Sequence, residues 1–577
     1  MSTKEKSEYK GNLDGFRGLD TSSPIGEGRT VALKNFKQLS DGSVEKRGGF
    51  KLLCTLDDKL RGEIAYVDGG EEVILAVAGG RLYRISVETG ELSSEEHFSN
   101  SEEDACFFEF RGSLYLIESG NFYRYLGGTA LTPVRAYAPL VSENQEMSPY
   151  YNRLSDPMNA LTKRVRFKYT CDGFTIPVIT TSITISSVDA IFIGDKLVDK
   201  SLYYLDKNGT QIHCDNLFAG AKGDPLTVYA TALSGSDEKI TGVSKASVFD
   251  SFENSRVFLY GGDDENRFLA SSPVKDKAEL ARQGEIYNEE ILPLYFPNGT
   301  EARFGGMEKI SAMCRFYDRM LIFTKKRAFA TEELSKKTDQ GSIILETRSS
   351  TVGCSSDGAV RQIDGITPVS VSYGGIYKWE LDKNLGEEIV VKRMSNEVSS
   401  LLTTAFFENA RVCYNRIDDE MWFALYDTGE VLVYNATLKL WYTYTGIFAE
   451  RFIETGFGVA FVNGSDVFVF DGGECDLTND GVKHIEAYLE SAIWCLSPQG
   501  AKKHVQGLYL TCELDGGSVT ATLDDGIDTD SSTINGDGKV EFFDIRLRSP
   551  RTRQIKFKLS AGGLSKQRIY GVSLLTD

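Results

Sequence analysis

Four histidines, ten cysteines and a few charged clusters are the side chains in this 577-residue chain with chemistry to offer. His97, His213, His484 and His504 stand at no metal-ligand spacing from one another or from a cysteine pair. His213 adjoins Cys214, but neighbours on a strand face opposite ways. The cysteines (Cys54, Cys106, Cys171, Cys214, Cys314, Cys354, Cys413, Cys475, Cys495, Cys512) form no CxxC motif. Most lie in apolar strand contexts and read as reduced, buried thiols. No P-loop, GxSxG or HExxH string occurs. Catalytic residues, cofactors and a resident metal are therefore not expected, and the chain does not read as an enzyme.

The charged clusters carry more. Gly261-Gly262-Asp263-Asp264-Glu265 follows a strand and reads as a solvated loop. Asp524 to Ser532 resembles a calcium loop. Read as an EF-hand from Asp528, it puts Thr533 at the required Gly and Lys539 at the required Glu, so that reading fails. An acidic surface loop is the default, with a looser calcium site left open. Arg546, Arg548, Arg551, Arg553, Lys556 and Lys558 make a basic run in an acidic chain. The even-numbered members share a strand face within each segment. That face is either solvated or set against an acidic neighbouring subunit.

The elements that hold these residues are strands. The hairpin Val73 to Ile85 is the type specimen: an apolar run, Gly79-Gly80 for the tight turn, then a return strand with Leu82 and Arg84 on one face and Tyr83 and Ile85 on the other. Variants recur at Ala105 to Tyr125, Ser255 to Tyr260, Asp318 to Phe323, Val369 to Trp379, Met421 to Trp441 and Val459 to Phe470. Four strands in about 30 to 45 residues is the size of a β-propeller blade, and one blade alone leaves its faces uncovered. The 56 Gly, 27 Tyr and 33 Phe fit many short strands joined by turns. The clearest helical stretch is short, around Asp276 to Arg282.

Residues 1–29 are polar and Gly-rich and read as an extended arm with isolated apolar anchors. Residues 30–140 read as the first part of the propeller, 141–236 as an inserted small β-domain, 237–475 as the second part, and 476–577 as a C-terminal β-sandwich of jelly-roll type. The predicted fold is all-β: a six- or seven-bladed β-propeller with those two additions. The net charge of −19 makes a general nucleic-acid binder a poor fit, although an acidic wall keeps passing DNA from sticking. The start, Met1 to Lys6, has no apolar h-region, and no apolar run approaches the roughly 20 residues of a membrane span. Neither a signal peptide nor a membrane anchor is expected.

Several segments, taken in order, resemble the β-propeller structural protein of tailed bacteriophages, the tail nozzle or tail hub, a packaged-DNA stabilisation protein in short-tailed phages. They are Phe16-Arg17-Gly18-Leu19-Asp20, Ser23-Pro24, Asn35-Phe36, Asp41 to Phe50 with its G-x-x-x-x-R-x-G hairpin, Arg256 to Gly262, Pro293 to Pro297, Tyr317 to Phe323, and Val431 to Asn435 followed by Trp441-Tyr442. The resemblance covers about residues 10 to 475. It implies a virion protein, made in the host bacterial cytoplasm. Copies would form a ring, a hexamer, around the DNA exit channel. The partners implied are the protein itself, a portal or head–tail adaptor protein, other tail proteins, and passing double-stranded DNA read without sequence specificity.

On that reading Phe16, Arg17, Leu19, Asp20 and Arg47 contact the adaptor, and Asp263, Asp264 and Glu265 line the bore. Arg546, Arg548, Arg553 and Lys556 then meet a neighbouring subunit. The arm is expected to serve assembly and to be dispensable for folding, and the insertion to be removable. Two other classes stay open: a host-receptor or carbohydrate-binding tail protein, and a carbohydrate-active propeller enzyme with two carboxylates across its channel.

Overall fold

In the computed structural model the residues described are all but 1–8, 14–15, 23–28, 100–102, 146–152, 155–157, 216–217, 235–242, 252–253, 262–266, 275, 298–301, 304–307, 337–342, 383–387, 426–427, 497–500, 547–550 and 577. The chain is mostly strand, in a propeller-like arrangement. Antiparallel four-stranded sets follow one another along it, beginning at Leu60–Asp68, Cys106–Phe110, Lys245–Phe249, Ile310–Phe316, Val360–Ile363, Arg411–Asn415 and Arg451–Thr455. These first strands touch in that order, and the last touches the first.

The hairpin that typifies the repeat explains the stacking. Glu71–Ala78 and Arg81–Ser86 are joined by Gly79 and Gly80, both at positive φ, which L side chains avoid. Val73, Leu75, Val77 and Leu82 pack against Leu114 and Leu116 of the next set. Ile74, Ala76, Tyr83 and Ile85 pack against Ile453, Ala460 and Val467 of the final set. A strand apolar on both faces is thus covered by one neighbour on each side. The final set takes its fourth strand from the other end of the chain, where Phe50–Thr55 pairs antiparallel with Asp466–Phe470.

Residues 140–232 form a six-stranded sheet and a three-stranded one around their own core, which includes Phe167, Ile191 and Val228. They are not a free appendage. The helix Lys277–Tyr287, capped by Asp276, lies against them. Its Glu279 carboxylate accepts from Tyr229 Oη at 2.8 Å and pairs with Arg166 at 2.9 Å. Gln283 accepts from Ala138 N at 2.8 Å and donates to Ala138 O at 2.9 Å. Excising residues 140–232 would strip Glu279 of both Arg166 and Tyr229, so simple removal carries the penalty of a buried charge left unpaired.

The C-terminal strands belong to a fifteen-stranded sheet that also holds the set starting at Arg411. The long strand Lys503–Asp524 pairs with Thr529–Arg546 on one side. On its other side it pairs first with Gln567–Thr576 and then with Gln554–Gly562. The switch falls at Gly516-Gly517, where register shifts mark a bend. A Cβ on Gly517 would lie 2.0 Å from Gln567 Nε2, so a larger residue there would have to push that side chain aside. Ala487–Ser491 and Thr30–Lys34 carry the ladder on to Leu440–Thr445.

The arm departs from expectation. Phe16 and Leu19, each 2% exposed, sit in the largest core with Leu33, Phe36 and Trp441. Leu19 N donates to Trp441 O at 2.7 Å and Asp20 N to Thr30 O at 2.9 Å. Two isolated apolar residues become one buried face because Gly18, at φ 78°, turns the chain between them. A Cβ on Gly18 would meet Leu440 Cβ at 2.8 Å. Phe16→Ala should therefore destabilise the fold by about 3 kcal/mol, through lost burial and a cavity. Denaturant melts of this variant check it; an unchanged midpoint would restore the dispensable arm.

Candidate functional site

The first strands of the sets bring charges together from distant parts of the sequence. Arg451 bridges two carboxylates, Glu63 at 3.2 Å and Asp104 at 2.6 Å. Arg361 Nε lies 3.6 Å from Glu454, which also accepts from Tyr414 N at 3.0 Å. Arg411 Nε donates to Glu450 O at 3.0 Å, and Tyr260 Oη to Asp357 at 2.6 Å. Burial pushes the Glu63 carboxyl up from its ordinary range, against the pull of Arg451 and Arg361. It also pushes the Cys106 and Cys314 thiols up to about 12, which keeps them protonated and poorly nucleophilic. Glu63 and Asp104 are both committed to one guanidinium. Among the described residues no group of His, Cys, Asp and Glu is arranged to hold a metal ion.

A second cluster ties the N-terminal hairpin to residues 398 or more positions further along the chain. Arg47 uses all five of its N–H donors. Nε donates to Asn35 Oδ1 at 3.0 Å. Nη1 and Nη2 grip Asp476 bidentately at 2.9 and 2.7 Å, and they also donate to Gly48 O and Thr445 O, each at 2.9 Å. Asn35, at φ 56°, donates through Nδ2 to Thr445 Oγ1 and Glu486 O, both at 2.7 Å. A planar fork facing a carboxylate is the geometry in which Arg outperforms Lys.

Beside this hub opens a cleft of about 780 Å³. Its floor is aromatic: Trp422 meets Phe470 edge-on at 4.8 Å and Tyr444 at 5.4 Å. Its lip is apolar, with Phe457 64% and Ile417 61% exposed. Its walls carry paired charges, Lys37 with Asp418, Lys51 with Asp471 at 3.7 Å, and Lys566 with Glu45 at 3.1 Å.

Under the floor, Glu420 is fully buried and accepts from Trp422 Nε1 at 2.8 Å and from Tyr442 Oη. Burial, and then the nearby Asp418, pushes its carboxyl up to about 7 from 4.5. The folded protein holds this proton between those values and the unfolded chain does not. The stabilisation is thus full below about pH 4.5 and lost as pH rises through 7, a change of the order of 3 kcal/mol. Glu420→Gln should remove that slope and melt higher than the parent at pH 8. Parallel melts of parent and variant from pH 5 to 8 check it; identical slopes would count against it.

The residues singled out in the sequence are scattered. Of the arm set, only Arg17 is exposed, while Phe16, Leu19, Asp20 and Arg47 are buried within the chain and so are not free to meet an adaptor. Asp263, Asp264 and Glu265 lie outside the described residues, as does Arg548. Lys556 and Lys558 stand two apart on one strand, across from Asp524 and Thr522, and so share a face, while the two segments of the basic run lie apart. Arg546 pairs across from Gly507 and Lys556 from Asp524, at opposite ends of the same long strand. Arg546 lies 3.4 Å from Asp544, Lys556 pairs with Glu490, and Arg553 is exposed. In the acidic turn, the Asp525 carboxylate accepts from Ile527 N and Asp528 N at 2.9 and 2.8 Å. Sequence reasoning missed the Arg451 bridge, Glu420 and the cleft, whose residues come from segments far apart. The Asn35 and Arg47 pair was visible as a motif, but its partner Asp476 was not.

No family model and no curated protein matches the chain. Among solved structures, it is similar to the Cps50 (Swd1) β-propeller domain of Myceliophteria thermophila, at 9% identity and a TM-score of 0.32, over 72% of this chain and 98% of that one. It is also similar to the WD40 domain of SCAP from fission yeast, at 9% identity and a TM-score of 0.31, over 73% and 97%. A streptogramin B lyase aligns at 9% identity and a TM-score of 0.28, over 73% and 97%. Likeness at this level bears on neither activity nor partners, and the propeller-like description stands on the ring of touching first strands.

Proposed function

We propose that the seven sets are the blades of a closed seven-bladed β-propeller, with residues 140–232 inserted between the second and third blades and the C-terminal strands folded as a sandwich-like body. On this fold we propose a structural role in a bacteriophage tail. Copies form a ring, six by the resemblance, around the DNA exit channel. The ring extends the tube, retains the packaged genome and conducts it on ejection. It binds a portal or head–tail adaptor and other tail proteins, and passes double-stranded DNA without reading its sequence. The net charge of −19 suits a wall that DNA slides past.

The observation that supports this reading most is the hub. Asn35 and Arg47, both within the resembling segments, weld the N-terminal hairpin to Thr445, Asp476 and Glu486. A body whose N-terminal hairpin is clamped to distant parts of the fold suits a part that transmits load and has no need of an opening site. Adaptor contact then falls to Arg17 and other exposed surface. Negative-stain imaging of the purified protein tests the proposal. Rings with an open bore are the expected result; single propellers at every concentration would sink it.

A further inference from the structure

We propose that the cleft beside the hub is a binding site for an acidic saccharide, with Lys46 as the group that receives its carboxylate. This does not rest on the tail reading. Lys46 is 4% exposed and lines the cleft. Its ammonium has three N–H donors and gives one to Gly563 O at 3.0 Å. Among the described residues no acid pairs with it; Glu474, exposed on the same cleft, is the acid that acts on it most, and Arg47 acts in the opposite sense. Burial pulls its pKa down, the sign of an ammonium short of counter-charge. A buried charge in that condition is stabilised by an incoming anion.

The rest of the cleft selects what carries the anion. A phosphate or sulfate ion would leave about 780 Å³ almost empty. The other basic side chains on the walls, Lys37, Arg47, Lys51 and Lys566, already have acid partners, so a polyanion gains little. Such acid–base pairs present donors and acceptors side by side, the pattern that vicinal hydroxyls satisfy. The exposed ring of Phe457 and the Ile417 side chain supply an apolar surface for the face of a pyranose. Both line the same cleft, and Ile417 Cδ1 reaches the turn that carries Phe457, 3.7 Å from where a Cβ on Gly458 would stand. One carboxylate, several hydroxyls and an apolar ring face together describe a uronic acid or a similar acidic sugar.

The test uses the full-length protein, tetragalacturonate and its methyl ester, which has the same chain with the carboxylates masked. Calorimetric titration should show the free acid binding about tenfold or more tightly than the ester, as a charge-assisted hydrogen bond requires. Lys46→Gln, which keeps a donor for Gly563 O, should abolish the preference, and Lys46→Arg should keep it. Phe457→Ala, on an exposed turn, should weaken both ligands. Equal binding of acid and ester, binding by neither at millimolar concentration, displacement by equimolar phosphate, or an unchanged preference in a folded Lys46→Gln protein would each overturn the proposal.

Discussion

Phe50→Ala should destabilise the protein by about 3–5 kcal/mol, the range for emptying a large aromatic site in a core. Phe50 is buried and packs edge-on against three rings, Phe461 at 5.0 Å, Phe470 at 5.5 Å and Phe468 at 5.6 Å. It also opens the strand that completes the final set from the N-terminal side. The cavity would therefore form where the first and last parts of the structure join. Phe50→Leu keeps most of the volume and should cost less than about 1.5 kcal/mol. Urea melts followed by circular dichroism separate the two variants. A Phe50→Ala midpoint within error of the parent would mean that this strand does not hold the structure closed.

Arg47→Ala should cost a similar amount, about 3–5 kcal/mol, for an electrostatic reason. The guanidinium is buried and so is its partner Asp476. Removing it leaves a carboxylate without counter-charge, Asn35 Oδ1 short of a donor, and the carbonyls of Gly48 and Thr445 unmet. Replacing both partners with apolar side chains, as in Arg47→Met with Asp476→Leu, should recover a large part of the loss, because the desolvation penalty disappears with the charges. If the double variant is as unstable as Arg47→Ala, geometry and not buried charge is what the hub supplies. Phe50 N lies 3.4 Å from Asp476 Oδ1, so the Phe50 and Arg47 effects should not add.

Neither effect is visible in the residues alone, and the contrast runs through the molecule. The local pattern by itself determined the strands. An apolar run, a Gly pair and an alternating return strand mark Glu71–Ala78 and Arg81–Ser86, and the stretch Asp276 to Arg282 marks the helix Lys277–Tyr287, because turns, caps and side-chain alternation are decided within a few residues. The charge and the lack of a short-range catalytic motif were also plain in the sequence. What only the tertiary structure decided is everything that depends on distant partners. Phe16 and Leu19 looked like stray anchors on a free arm, yet the sixth set supplies the surface that buries them. The basic run reads as two strand segments, and only the fold sets them at opposite ends of a strand that bends at Gly516-Gly517. Lys46 looked like any lysine in a hairpin, and becomes a buried ammonium at a cleft only because the Gly563 carbonyl and the other cleft walls come to it from far along the chain. Burial and charge pairing are sums over neighbours, and in a repeating β structure the neighbours that matter come from other repeats.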